Sequence, residues 1–291
     1  MAALDARDIG IATAAPPRRR RRRGAIVFWL MAGWIVFVFA LALLANLLPL
    51  DDPSKMTLMA RRAGPSMAHL LGTDAFGRDI LSRLVFGARN SLAIGILAPL
   101  LGTVIGGALG LIAGYFGGRF ETLTIAASDV LLAFPPLVLA LAVVAYLGAS
   151  LFNLIIVLGL LTVPAVARVA RAATLTLRER DFVTAARALG ASNARILMKE
   201  ILPNVVLPLS AFFLVLVAVI IVAEGILSFL GLGVPPPSPS WGGMIAEGRD
   251  NLDVAPHIAF IPSVAMFLTV LAFNLVGDTL RAATDPRRGA P

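Results

Sequence analysis

Few side chains in this 291-residue sequence are equipped to do chemistry, and they fall in three places. Glu224 and Asp129 are carboxylates inside long apolar runs. Burying such a charge without a partner is costly, so each is a functional candidate. Asp129 sits near one end of its run, where water can solvate it. Glu224 lies deep, placed to face a pathway, meet a ligand amine or bond a neighbouring helix. Asp74, Arg78 and Asp79 form a second group, close enough to pair locally in a stretch whose Gly72 and Gly77 permit sharp turns. The third is the polar stretch 178–203, RERDFVTAARALGASNARILMKEILP, which interrupts an otherwise apolar pattern.

Several chemistries are excluded. Cysteine is absent, so disulfides and thiolate metal sites are ruled out. His69 and His257 are far apart and lack partners at metal-ligand spacing, so no metal site is expected. No Ser-His-Asp set or paired carboxylates occupy a credible site, and no Walker A sequence is present. The chain is expected to be no enzyme and to bind no nucleotide or other cofactor itself.

Those residues must be held by elements that suit lipid. The composition is 58% hydrophobic and 14% charged, with a mean hydropathy of +0.88, which defines an all-α integral membrane protein. Six runs are long enough to cross a bilayer: 25–49, 89–115, 123–147, 151–170, 205–230 and 258–280. The chain therefore divides into a disordered basic tail (1–24), a first transmembrane helix (25–49), an outer loop (50–88) and a five-helix core (89–288). The run after the arginines 18–23 is too long for the apolar stretch of a signal peptide, so it is read as a retained span.

With the N-terminus inside, 18 of the 25 Lys and Arg residues face the cytoplasm and seven face outward. The positive-inside rule then places both termini and the 178–203 stretch in the cytoplasm. It also accounts for the net charge of +8, through membrane orientation and anionic lipid rather than nucleic acid. Gly102, Gly106, Gly110 and Gly114 repeat along one helical face, which predicts close packing on another helix.

Within 178–203, Phe182, Ala185, Ala186 and Leu189 lie at i, i+3, i+4 and i+7, one apolar face of a short helix. Gly190 suits its end and Ser192 the start of a second helix, which carries Ile196, Leu197 and Ile201 on one side and stops at Leu202-Pro203. Two short helices with a polar face, lodged between spans, suggest a docking surface.

The stretch resembles the coupling loop of permease subunits of bacterial ATP-binding cassette importers. Ala185, Ala186, Gly190, Ile201, Leu202 and Pro203 match that pattern, while Thr184 stands at the family's glutamate position. Glu179 or Asp181 could supply the missing carboxylate, or nothing does. Three further stretches extend the likeness: LGTDAFGRD at 71–79, SFLGLG at 228–233 with Ser240-Trp241-Gly242, and LAFNLVGD at 271–278 before Arg281 and Asp285-Pro286. Together they resemble the second permease subunit of dipeptide, oligopeptide and nickel importers, over about residues 65–288.

The resemblance implies a subunit of the cytoplasmic (inner) membrane that forms half of a translocation pathway for peptides or similar solutes. It implies as partners a homologous permease, two ATP-binding subunits that carry ATP and Mg, and an extracytoplasmic solute-binding protein. Asp74, Arg78, Asp79 and Trp241 would lie where that binding protein docks, with the proline-rich 231–243 as a stiff outer loop. Two rivals are weaker. An ion-driven transporter needs more buried charge than Glu224, and a membrane hydrolase needs a nucleophile and base on facing helices.

Overall fold

A computed structural model describes the backbone of residues 18–284 and the side chains of 25–282. Residues 1–17 of the expected tail, and Asp285-Pro286 with Arg287 and Arg288, lie outside the described residues. The arginines 18–23, assigned to that tail, begin a helix instead: α1 runs Arg18–Leu44. The described residues are all-helical, with one isolated bridge, Thr73 to Asp79, in place of a sheet.

Four more long helices follow, α2 (Ile80–Phe116), α5 (Leu151–Arg178), α8 (Leu202–Phe229) and α10 (His257–Thr284). Each is long and apolar enough to cross a membrane. Helix α2 starts at Ile80 rather than near 89, because the Asp79 carboxylate caps it by accepting the Ser82 amide at 2.7 Å.

The run 123–147 is not one straight span. It forms α3 (Gly118–Leu132) and α4 (Pro136–Leu147), which meet at 81°. Pro135 pushes Phe134 out of the helical region, and the two consecutive prolines supply no N–H to continue the ladder. With that pair taken as one broken span, the count reaches six. Pro164, by contrast, is carried inside α5 without ending it.

The most extensive interface joins α2 to α5, and the glycine stripe makes it. A Cβ at Gly106 would lie 2.5 Å from the Val163 carbonyl oxygen, and one at Gly114 would lie 2.8 Å from Thr174 Cβ. Only hydrogen fits there, so the two backbones approach directly. Helix α8 packs on α2 and α10, and α1 covers α10 and α2, with Trp34 Nε1 donating to Thr269 Oγ1 at 3.1 Å.

The chain thus has two ends. At one, the 178–203 hairpin caps α2, α5 and α8; at the other, residues 50–79 and the short helix α9 (Trp241–Gly248) cover the helix ends.

Candidate functional site

Helix α6 (Asp181–Ala188) opens the hairpin, and its end is built as the sequence implies. Gly190 has φ +79°, its amide donates to the Arg187 carbonyl, and the Ala191 amide donates to the Ala186 carbonyl, both at 3.0 Å. This paired closure needs a residue in the left-handed region, which glycine enters without a Cβ penalty. Ser192 Oγ then accepts the Arg195 amide at 3.3 Å and starts α7 (Asn193–Arg195).

From α7 the chain passes through a π-helical turn, Ile196–Ile201, into α8. The Leu202 amide donates to the Leu197 carbonyl, five residues back. The wide turn absorbs Pro203, which brings no donor of its own. Leu202 and Pro203 therefore mark a change of helical register where the hairpin joins a span.

The hairpin is fixed to the spans from below. Val183, Ile196 and Ile201 are fully buried and join Leu111, Tyr115, Val166, Ala170 and Val205 in one cluster. Each such side chain contributes about 1.5–3 kcal/mol relative to exposure in water. Tyr115 Oη donates to Asn193 Oδ1 at 2.8 Å, and Arg178 Nη1 donates to the Gly114 and Tyr115 carbonyls at 3.3 Å.

The predicted apolar stripe of α6 meets this cluster only through Ala186. Val183 anchors the helix, whereas Phe182 is 40% exposed and Leu189 88% exposed, with Thr184 and Ala185 also open and Ala186 half-buried. The inward face was missed because only Val183 and Ala186 serve it, while the larger side chains of the pattern point away. Glu179 and Asp181 are exposed nearby.

At the opposite end, Asp74, Arg78 and Trp241, expected where a binding protein docks, are buried, and Asp79 nearly so. They organise the loop from inside. Arg78 Nε donates to Asp74 Oδ2 at 2.6 Å, and its Nη2 donates to Glu247 Oε2 at 2.5 Å. Arg83 Nη2 reaches the same Glu247 oxygen at 2.9 Å. Asp74 Oδ1 accepts the amides of Phe76 and Arg78. Glu247 and Arg83 escaped the sequence reading, since nothing local signals a partner more than a hundred residues away.

Trp241 is held from within. Its backbone amide donates to Ser91 Oγ and its indole to the Leu84 carbonyl, each at 3.0 Å, which ties α9 to α2. His69 Nδ1 lies 3.1 Å from Asp79 Oδ1, and a Cβ on Gly72 would lie 3.0 Å from His257 Nε2, so both histidines meet the same loop.

Glu224 is fully buried, and its Oε1 accepts hydrogen bonds from Ser228 Oγ (2.7 Å) and Ser240 Oγ (2.8 Å). Ser240 caps α9 by accepting the Gly243 amide at 3.0 Å. Through Ser240, Glu224 bonds α8 to the start of α9. Asp129, read as solvated, forms an ion pair with Arg168.

The described residues form lipid-compatible helices closed at one end by a hydrogen-bonded loop and at the other by a short helical hairpin with a glycine turn, the build of a multi-span membrane protein. The chain belongs to the family of binding-protein-dependent transport system inner membrane components, whose model matches residues 106–289, and it is a permease subunit of an ABC importer. It is 44% identical over 255 residues to the glutathione transport system permease protein GsiD of Pectobacterium atrosepticum, covering 87% of this chain and 85% of that protein. GsiD of Escherichia coli is 43% identical over the same length, covering 87% and 84%. Inward-facing structures of the MetNI methionine ABC transporter share the fold: one, at TM-score 0.55 and 20% identity, covers 70% of this chain and 96% of its own. A second form matches at TM-score 0.56 and 19% identity.

Proposed function

We propose that this chain is one of two homologous permeases of an ATP-driven importer, and that it takes energy through the 178–203 hairpin from a separate ATPase that holds ATP and Mg. The observation that carries the reading is the outward part of the hairpin: Phe182 and Leu189 stand exposed while Val183 and Ala186 seat the helix on the spans. A face left apolar on a firmly seated helix is suited to a protein partner. Thr184, Ala185, Ala186 and Gly190 form the rest of that contact, while Ile201, Leu202 and Pro203 pass its movement into α8.

The Lys and Arg bias supports a cytoplasmic hairpin and cytoplasmic termini, in a bacterial inner membrane. The solute is a small peptide or a peptide-like compound. The 44% identity to a glutathione permease supports that class, and an extracytoplasmic binding protein selects within it.

The mechanism is alternating access. Closure of an ATPase pair moves the docked hairpin, which is fixed to α2 by Tyr115–Asn193 and to α5 by the chain itself. The hairpin needs only to make different contacts in two states to shift the equilibrium between them. Affinity purification of the tagged chain from its native membrane tests the reading. Recovery of an ATPase and a second permease is expected; a chain that purifies alone and moves solute without ATP refutes it.

A further inference from the structure

Helix α3 is held differently from every other long element. It buries one side chain, Ser128, and leaves Leu123 and Val130 exposed. Although α3 touches both α2 and α5, a cavity of about 280 Å³ lies between them, lined by Leu109, Leu123, Ala127, Leu131, Val163 and Pro164. Before it stand Gly117 and Gly118, with φ of +68° and +62°, and after it comes the break at 133–135. The helix is thus short of packing and has a joint at each end.

What ties it down is charge. Arg171 Nε donates to Glu121 Oε1 at 2.7 Å, and Arg168 Nη2 donates to Asp129 Oδ1 at 2.5 Å. Both arginines are on α5, which the glycine stripe fixes to α2. The outer pair is half-exposed, with Arg168 at 53% and Asp129 at 55%. Charges this open on a helix leading into lipid need water or a polar cavity beside them. Exposed pairs also contribute little, about 0.2–1 kcal/mol, so Arg168–Asp129 is the easily released part, while Arg171–Glu121 is more buried. One joint adjoins the hairpin as well. A Cβ on Gly117 would lie 3.4 Å from Glu121 Oε2 and 3.9 Å from Arg178 Nη1, the arginine that leads into α6.

From this geometry we propose that α3 is a hinged gate, pivoting at Gly117–Gly118 and 133–135 and latched to the rigid α2–α5 pair by Arg171–Glu121 and Arg168–Asp129. Arg178 reports hairpin movement to the first pivot. The proposal rests on the coupling role of the hairpin. It adds to that role the element that moves and the residues that hold it. Release of the latch swings α3 away from α5 and opens the water-facing side that the ion pairs line.

The absence of cysteine makes the test direct. In the complete complex, spin labels at Val130→Cys on α3 and Leu160→Cys on α5 are compared without nucleotide and with a non-hydrolysable ATP analogue. A shift of about 5 Å or more, one helical turn, is expected. A control pair, Val104→Cys on α2 with Leu160→Cys, should stay within about 2 Å. An unchanged α3 distance in a complex that still couples ATP to uptake overturns the gate and leaves the coupling role standing. A complex without an ATPase refutes both.

Charge exchange supplies a second readout. Arg168→Asp should lower uptake about 5-fold or more while ATP hydrolysis continues, and adding Asp129→Arg should restore it. A double variant no better than the single one also overturns the latch.

Discussion

The α2–α5 contact makes a prediction in which one substitution has opposite signs at two sites. At Gly33 in α1 an added methyl group would have nothing within 4 Å, whereas a Cβ on Gly106 meets Val163 O at 2.5 Å, Val166 Cβ at 2.9 Å and Ala167 N at 3.1 Å. Alanine at position 33 therefore gains only helix propensity, about 0.5–1 kcal/mol. At position 106 the same gain is opposed by overpacking of about 1–3 kcal/mol, because two of the obstructing atoms are backbone and cannot rotate away. The net is a loss of up to about 2.5 kcal/mol for Gly106→Ala. Thermal unfolding of the purified complex, followed by tryptophan fluorescence in one detergent, reads the difference. Gly33→Ala should raise the midpoint slightly and Gly106→Ala should lower it by several degrees, at about 2–4 °C per kcal/mol. If both variants shift upward together, the direct backbone contact between α2 and α5 is wrong.

Other residues carry sharper expectations. Arg78→Ala removes one of the two cations shared by Asp74 and Glu247, leaving Arg83, so the loss should fall at or below the about 3–5 kcal/mol of a fully broken buried pair; limited proteolysis should then cut residues 50–79 at a protease concentration that spares the parent. Glu224→Ala deprives the Ser228 and Ser240 hydroxyls of their acceptor and should cost about 1–3 kcal/mol in unfolding measurements, with Glu224→Gln closer to the parent because its carbonyl still accepts. Gly190→Val meets no neighbouring atom yet must hold a β-branched residue at φ +79°. The strain of about 1–3 kcal/mol should distort the hairpin and cut uptake while membrane insertion, measured by fractionation, is unchanged.

The long spans and the hairpin were legible because lipid imposes length and because helical periodicity is local. Gly190 and Ser192 were readable as a helix end and a helix start for the same reason: their function depends on neighbours a few residues away. The bend at 133–135 was hidden by a hydropathy pattern that stays apolar across two prolines. The ion pairs were illegible for a different cause. Arg78 and Glu247, or Arg168 and Asp129, meet only when separate helices are packed, and neither member of a pair signals the other. The orientation of the α6 stripe was misleading in a useful way: apolar residues at helical spacing usually face a chain's own core, and here Phe182, Ala185 and Leu189 face outward while Ala186 turns in.

That outward stripe is where the central claim is most directly tested. Leu189→Asp puts a charge at the centre of the proposed contact, on a side chain already 88% exposed, so the chain's own fold should be spared. The measurement is the amount of ATPase recovered per permease after affinity purification from native membranes, with unfolding of the variant followed in parallel. The account predicts that Leu189→Asp loses most of the ATPase while keeping its unfolding midpoint and its partner permease. Full retention of the ATPase, with uptake still driven by ATP, would show that the hairpin does not couple this subunit to its energy source.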